Sequence, residues 1–327
     1  MMKLNVAVVG ATGLVGRTML KVLEERNFPI NKLYLYASKR SKGKKMLYNN
    51  TEYTIIELTD ENIANDIDIA LFSAGADTSR VFAPKFVEKG AIVIDNSSCF
   101  RMDKDKELIV PEVNKNRIPE KGIIANPNCS TITVMPALKF LRDAYGLKRV
   151  VYSTYQSVSG AGKKGLEDLE NNLQGLPSQK FDDKIAFNLI PYIDKFLDSG
   201  YTKEEQKMID ESRKILELPN LKVTATCVRV PVRYSHGVSV NVELEKDFKL
   251  EDVIEGLKNT EGVIVEVGKY PMPIYVEGKD ETYVGRIRRD SSVEYGLNMW
   301  IVADNIRKGA ATNAVQIAQE ILKKKEE

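Results

Sequence analysis

The chain has 327 residues, of which 43% are apolar and 29% charged, with a formal net charge of +2; this is the balance of an ordinary globular protein long enough for about two domains. So small a net charge gives no field that would select nucleic acid or a membrane surface, and no apolar run nears the roughly 18–20 residues that cross a bilayer. Three cysteines (Cys99, Cys129 and Cys227) form no CxxC pair, and His236 is the one histidine, so neither a disulfide framework nor a metal site is expected.

The first residues, MMKLNVAVVG, enter a strand pattern directly rather than a secretory signal, and a cytoplasmic location is expected. KLNVAVVG (3–10), KLYLYAS (32–38), DIDIALFSA (66–74) and GAIVIDNSS (90–98) predict buried strands, rich in Val, Ile and Leu and closed by Gly, Ser or Asn. Between them LVGRTMLKVLEER (14–26) and DTSRVFAPKFVEK (77–89) carry apolar residues at helical spacing. Repeated strand–helix–strand units predict an α/β fold: a Rossmann-type parallel sheet with helices on both faces.

After about residue 130 the character changes. The run ITVMPALKFL (132–141) predicts a helix that begins near Cys129. RVVYSTYQSVSG (149–160), LKVTATCVRVPV (221–232), VSVNVELE (238–245), TYVGRIRR (282–289) and GLNMWIVADN (296–305) alternate apolar and polar residues, as in a sheet with one face exposed or covered by helices. KKGLEDLENNLQG (163–175) and TKEEQKMIDESRKILEL (202–218) predict helices between them. The last segment, GAATNAVQIAQEILKKK (309–325), predicts a helix that returns to the first domain. The expected division is 1–128 with 308–327 as a dinucleotide-binding domain, and 129–307 as a mixed α+β domain.

Gly10, Gly13 and Gly16, in GATGLVG, follow the first strand and open the first helix. Glycines there allow a tight turn and close approach to a pyrophosphate, which the helix N-terminus then meets with amide hydrogens. The spacing is GxxGxxG rather than GxGxxG, and the same glycines would also suit a tight turn alone; the strand–turn–helix context favours the dinucleotide. At the end of the second strand an NAD site usually carries an acidic residue for the ribose hydroxyls. This chain has Ser38, Lys39, Arg40 and Ser41 instead. Hydroxyls and a guanidinium suit a 2′-phosphate, so NADP is the expected cofactor, against the alternative of a solvated basic loop.

ANPNCST (125–131) places Cys129 at a helix start, where amide dipoles favour a thiolate. A buried structural cysteine is the alternative. Asn128 and the Cys129 backbone amide are candidate donors to a developing oxyanion. His236 is either a satisfied structural residue or the proton shuttle of the site. Arg229 precedes it by seven residues, an odd offset that puts the two on opposite faces of one strand unless a turn intervenes at PVRYS. Glu204 and Lys207 lie i,i+3 on a helix, an arrangement that serves one site or an ordinary ion pair.

GATGLVG, NSSCFRM, PEVN, NPNCST, TYQSVSGAG, YTKEEQKM, CVRVPV and VGRIRRD, in this order over nearly the whole chain, resemble the aspartate-semialdehyde dehydrogenase family. The resemblance implies reversible, NADP-dependent conversion of L-aspartate 4-semialdehyde and phosphate into L-4-aspartyl phosphate, a step of lysine, threonine and methionine biosynthesis. It implies that Cys129 is the nucleophile forming an acyl-thioester, His236 the acid/base catalyst and Gln156 a substrate-positioning group. Arg101 and Lys207 would hold phosphate, Glu204 the substrate ammonium and Arg229 its α-carboxylate. Gly10, Thr12, Gly13, Leu14, Val15, Ser38, Arg40, Ser41, Ser159, Gly160 and Asn313 would line the cofactor. The second domain would be catalytic and dimerising, in a homodimer or homotetramer. Cys99, beside Arg101, departs from the small residue expected there and is read as inert. N-acetyl-glutamyl-phosphate reductase is the nearest rival, but that family usually has glycine before the cysteine, where this chain has Asn128. The glyceraldehyde-3-phosphate dehydrogenase type also differs around the cysteine. A redox sensor without turnover would make the set of Arg101, Arg229 and His236 coincidental.

Overall fold

The run LNVAVV forms strand β1 (Leu4–Val9) of a computed structural model that describes residues 2–326. Its alternation organises a whole unit. Val6 and Val8 enter a core with Leu20 and Leu23 of helix α1 (Leu14–Glu25) and Ile317 and Ile321 of the C-terminal helix Asn313–Glu326. Ala7 and Val9 enter a second core with Ala83 and Phe86 of α2 (Ala76–Glu88). A strand buried on both faces reads as a continuous apolar run, and such strands belong to parallel sheets covered by helices on both sides.

By its internal contacts the chain divides into two units, Met1–Pro127 with Ala310–Glu327, and Asn128–Gly309. The first holds β1, β2 (Ile30–Ala37), the hairpin β3 (Lys45–Tyr48) and β4 (Thr51–Thr54), β5 (Ile56–Glu57), β6 (Ile69–Phe72), β7 (Ile92–Asp95), β8 (Glu107–Leu108), the short α3 (Pro111–Asn114) and β9 (Ile123–Ala125). Its seven-stranded sheet has the order β5-β2-β1-β6-β7-β9-β8, and every pairing is parallel. The order reverses direction at β1, which is where open α/β sheets leave a crevice for a ligand. The β3–β4 hairpin was not among the predicted strands. It turns on Asn49 and Asn50, both with positive φ, the pairing that a two-residue hairpin turn requires.

The second unit holds α4 (Cys129–Tyr145), β10 (Leu147–Gln156), α5 (Lys163–Leu173), α6 (Lys203–Ile215), β11 (Lys222–Arg229), β12 (His236–Leu244), α7 (Leu250–Lys258), β13 (Val263–Glu266), α8 (Pro273–Val276), β14 (Thr282–Asp290) and β15 (Gly296–Ala303). Six strands form one mixed sheet in the order β11-β10-β12-β15-β14-β13. β10 pairs with β11 in parallel and with β12 antiparallel. The predicted alternation is present: Val238, Val240, Val242 and Leu244 of β12 are fully buried, while Ser239, Asn241 and Glu243 between them are not. Helix α4 packs along β10, β12, β14 and β15, and α6 packs on α4 and β11. No helix among the described residues is long and apolar enough to cross a membrane.

Candidate active site

In the second unit, the ends of three neighbouring strands meet at one edge of the sheet. Gln156 is the last residue of β10 and pairs with Arg229, the last of β11. On the other side of β10, Tyr155 pairs with Gly237, which brings His236, the first residue of β12, beside Gln156. The odd offset between Arg229 and His236 therefore creates no conflict. The chain leaves one strand at Arg229 and enters another at His236, with β10 between them, and Ser235 makes the turn at φ +69°.

Helix α4 begins at Cys129 and delivers the thiol to this edge. Cys129 Sγ lies 3.2 Å from His236 Nε2. Asn128 caps the helix: its Oδ1 accepts from the Ser130 and Thr131 N–H groups at 2.9 and 3.3 Å, which leaves Cys129 in the first turn, where the helix dipole favours negative charge. Gly309 packs against the cysteine so closely that a Cβ there would sit 3.0 Å from Cys129 Cβ.

One carboxylate organises the rest. Glu204 is 5% exposed, and its Oε1 accepts from Asn128 Nδ2 at 2.8 Å and Gln156 Nε2 at 3.0 Å. Its Oε2 pairs with Lys207 Nζ at 3.1 Å. Burial works against the charge, but the Lys207 ammonium and these amide donors outweigh it and hold the carboxyl down to about 2. Glu204 is thus a fixed anion. Lys207 also pairs with Asp194 at 2.9 Å, and its pKa stands above the ordinary lysine value: burial lowers it, and Glu204 and Asp194 more than restore it. The Arg229 guanidinium is buried and donates from Nη1 to Ser157 O at 2.7 Å. Gly160 is what lets it lie there, since a Cβ at that position would be 2.8 Å from Nη1 and 3.4 Å from His236 Nε2.

His236 is fully buried. Burial, and then the Arg229 guanidinium, hold its pKa down to about 3, with Glu204 opposing. Its Nδ1 accepts the Ser157 N–H at 3.0 Å.

In the first unit the glycine loop is built for close approach. Gly10 has φ +84°, and a Cβ on it would meet Ser73 O at 2.3 Å; a Cβ on Gly16 would meet Gly10 O at 2.3 Å. Gly10, Thr12, Gly13, Ser38, Lys39 and Thr78 line a cavity of about 470 Å³. An anion cradle of backbone at a helix start, beside a cavity edged by hydroxyls and a cation, fits a dinucleotide. Leu14 and Val15 are the first residues of α1. Arg40 is exposed and Ser41 buried in the turn Lys39–Ser41 after β2.

The family models match in the same two parts of the chain. "Semialdehyde dehydrogenase, NAD binding domain" matches residues 5–121 and "Semialdehyde dehydrogenase, dimerisation domain" residues 138–308. The aspartate-semialdehyde dehydrogenase of Aquifex aeolicus is 57% identical over 333 residues, covering 98% of each chain. The chain belongs to the aspartate-semialdehyde dehydrogenase family. The crystal structure of aspartate semialdehyde dehydrogenase II from Vibrio cholerae complexed with ASA superposes with a TM-score of 0.95 at 47% identity, over 99% of each chain. The family's Candida albicans structure with NADP gives a TM-score of 0.80 at 26% identity, over 98% of each chain.

Of the residues that the sequence singled out, Cys129, His236, Gln156, Asn128, Glu204, Lys207, Arg229, Ser159 and Gly160 all lie in the second unit. Asn128 is the one whose surroundings differ from the expected role. Its amide is engaged as helix cap and as a donor to Glu204, rather than turned outward as an oxyanion donor. Arg101 is in the first unit, buried, with Nε on Asn126 O and Nη2 on Asn96 O, both at 2.9 Å. Asn313, also there, donates to Ile109 O at 2.9 Å and Asn126 Oδ1 at 2.7 Å. Cys99 is partly exposed, and burial pushes its thiol above the ordinary cysteine value, which fits an inert residue. Among the described residues no cluster of three or more His, Cys, Asp or Glu side chains could hold a metal ion.

Sequence reasoning passed over Glu211, whose Oε2 accepts the Asn128 N–H at 2.6 Å, and Ser157, Asn305 and Gly309. Only Glu211 carried a signal. It lies seven residues after Glu204 on the same predicted helix, two turns along one face.

Proposed function

We propose that the protein interconverts L-aspartate 4-semialdehyde plus phosphate and L-4-aspartyl phosphate, with NADP(H), through a thioester on Cys129. The observation that carries this reading is the pairing of Cys129 Sγ with His236 Nε2 at 3.2 Å, at the start of a long helix, beside a buried anion and a buried guanidinium.

In the biosynthetic direction the Cys129 thiolate attacks the acyl carbon, phosphate leaves, and a thioester remains. A dinucleotide held at the Gly10–Gly13 turn would supply the hydride for that carbon. The resulting hemithioacetal collapses, the C–S bond breaks, and the thiolate is restored as aldehyde departs. His236 is the acid/base member of the pair and handles the proton at the oxygen of the adduct. Glu204, ionised, receives the substrate ammonium, and Arg229 receives its α-carboxylate. Gln156 holds Glu204 and so the substrate's position at the thiol. Arg101 and Lys207 take the phosphate. Gly10, Thr12, Gly13, Leu14 and Val15 cradle the pyrophosphate, Ser38, Arg40 and Ser41 the 2′-phosphate, and Ser159, Gly160 and Asn313 complete the cofactor site. The family model's name supports a dimer formed through the second domain, and the biosynthetic role of the family supports a cytoplasmic location.

The test is formation of NADPH from NADP, L-aspartate 4-semialdehyde and phosphate by the purified protein, with N-acetyl-glutamate semialdehyde in parallel. Turnover is expected on the first substrate alone, strictly dependent on phosphate, and reduced by about 10⁴-fold or more in Cys129→Ala. Turnover that survives the substitution would remove the cysteine from the chemistry. For the cofactor, Arg40→Ala is expected to raise the KM for NADP by roughly tenfold or more while leaving that for NAD unchanged. Equal affinity of wild type and variant for NADP would refute the 2′-phosphate assignment.

A further inference from the structure

Around His236, on the side away from the thiol, Ser157, Ser235 and Asn305 have no role in the reaction as proposed, and with Ser159 of the cofactor site they form one connected, fully buried cluster. Ser157, Ser159, Ser235 and Asn305 are each at most 1% exposed. Asn305 Oδ1 accepts from the Ser235 N–H at 2.9 Å, from Ser157 Oγ at 3.0 Å and from Ser159 Oγ at 3.2 Å. Asn305 Nδ2 donates to Ser159 Oγ at 3.0 Å. One amide thus ties the turn that follows β10 to the turn that precedes β12.

Both turns act on the imidazole. Ser157 directs its backbone N–H onto His236 Nδ1 at 3.0 Å, with its Oγ 3.1 Å from the same atom. A hydroxyl can rotate to give or take a hydrogen, but a main-chain N–H only gives. Nδ1 is therefore an acceptor, and the single proton of the neutral ring sits on Nε2, the nitrogen that faces Cys129 Sγ. Ser235, immediately before the histidine, has φ +69°, in the left-handed region that favours glycine, and its Oγ is buried without a hydrogen-bond partner. A residue persists in such a state only where its surroundings impose it. Here the surroundings are Asn305, which receives the Ser235 N–H.

We propose that Asn305 is a positioning residue that, by clamping Ser157 and Ser235, fixes His236 as the Nε2–H tautomer with its proton turned to the catalytic sulfur. In that form the ring presents a hydrogen-bond donor to the Cys129 sulfur, 3.2 Å away. The charged groups facing the ring are Cys129 on α4, Arg229 on β11 and Glu204 on α6. Of these the guanidinium further disfavours a second proton on the ring. This inference rests on the reading of Cys129 and His236 as the catalytic pair, but the tautomer is observable without turnover.

Because the chain has one histidine, ¹⁵N-imidazole labelling gives a spectrum with a single ring to assign. At neutral pH the wild type is expected to show a protonated Nε2 and a bare Nδ1. Asn305→Ala is expected to show the Nδ1–H form alongside it, and to lose about tenfold or more in kcat with KM for the semialdehyde within about twofold of wild type. Ser157→Ala, which removes the hydroxyl link but keeps the main-chain donor, provides the same reading if Asn305→Ala does not fold, with a smaller shift toward Nδ1–H. A wild-type ring protonated on Nδ1, or variants that fold with an unchanged tautomer, would overturn the proposal. Full turnover in Cys129→Ala would instead sink the catalytic reading and leave the tautomer result standing.

Discussion

Single side chains at the thiol edge are placed by what their neighbours lack as much as by what they offer. Gly160 is the sharpest case, because the space a methyl would need is already filled by Arg229 Nη1 and the His236 ring. Gly160→Ala is expected to push the guanidinium aside and raise the KM for L-aspartate 4-semialdehyde by roughly tenfold, since a misplacement of even 1 Å is costly where binding sets orientation. Steady-state kinetics decide it, and an unaltered KM would show that Arg229 does not clamp the substrate. At this scale Cys129 was identifiable from NPNCST, a cysteine at a helix start after a capping asparagine. Asn305 was not. It lies in no motif and earns its place only through partners at Ser157, Ser159 and Ser235, 70 to 148 residues away in the chain.

Helix α6 shows how an element sets a site. Thr202 and Glu205 form a reciprocal capping box at its start, with Glu205 Oε2 accepting the Thr202 N–H at 2.7 Å. Glu205 Oε1 also accepts the Cys227 N–H at 3.0 Å, which ties the helix start to β11. Glu204 lies in that same first turn. Thr202→Ala is expected to cost about 1 kcal/mol of stability, read by urea denaturation, and to impair activity by more than its loss of folded protein explains. A variant with the expected loss of stability and full specific activity would separate the cap from the site. The α6 pattern was plain in TKEEQKMIDESRKILEL. The short α7, α8 and β13 were passed over because segments of four to nine residues hold barely two turns of a helix or two pairs of a strand, too little for periodicity to separate one from the other. The hairpin β3–β4 was passed over although Asn49-Asn50 marks its turn, because β3 alternates exposed and buried residues over only four positions and β4, also four residues long, buries none.

For the molecule as a whole, two buried groups of the site make stability depend on pH. His236 is held down to about 3 against an ordinary 6.5, and Glu204 to about 2 against 4.5. In both cases the unfolded chain binds protons that the folded protein refuses, so stability rises with pH across each interval. The contribution of His236 is present above pH 6.5 and is lost as pH falls toward 3; that of Glu204 is present above pH 4.5 and is lost toward 2. Urea midpoints are expected to fall between pH 7.5 and 5, and in His236→Gln this early fall is expected to flatten while the later one persists. A wild-type midpoint flat from pH 7.5 to 5 would mean that the ring is protonated as readily in the folded protein as in the unfolded chain. The fold class was already contained in the order of residues, because burial on both faces demands unbroken Val and Ile runs and helices demand their own spacing, and both are local patterns. So were the glycine turn and the helix-start cysteine, whose chemistry depends on immediate neighbours. Only the tertiary structure decided that Arg229, Gln156 and His236 end three adjacent strands, that Glu204 is a buried anion shared by Asn128, Gln156 and Lys207, and that Asn305 holds the turns around the imidazole. Those facts follow from strand order and register, which bring together residues that no local pattern relates.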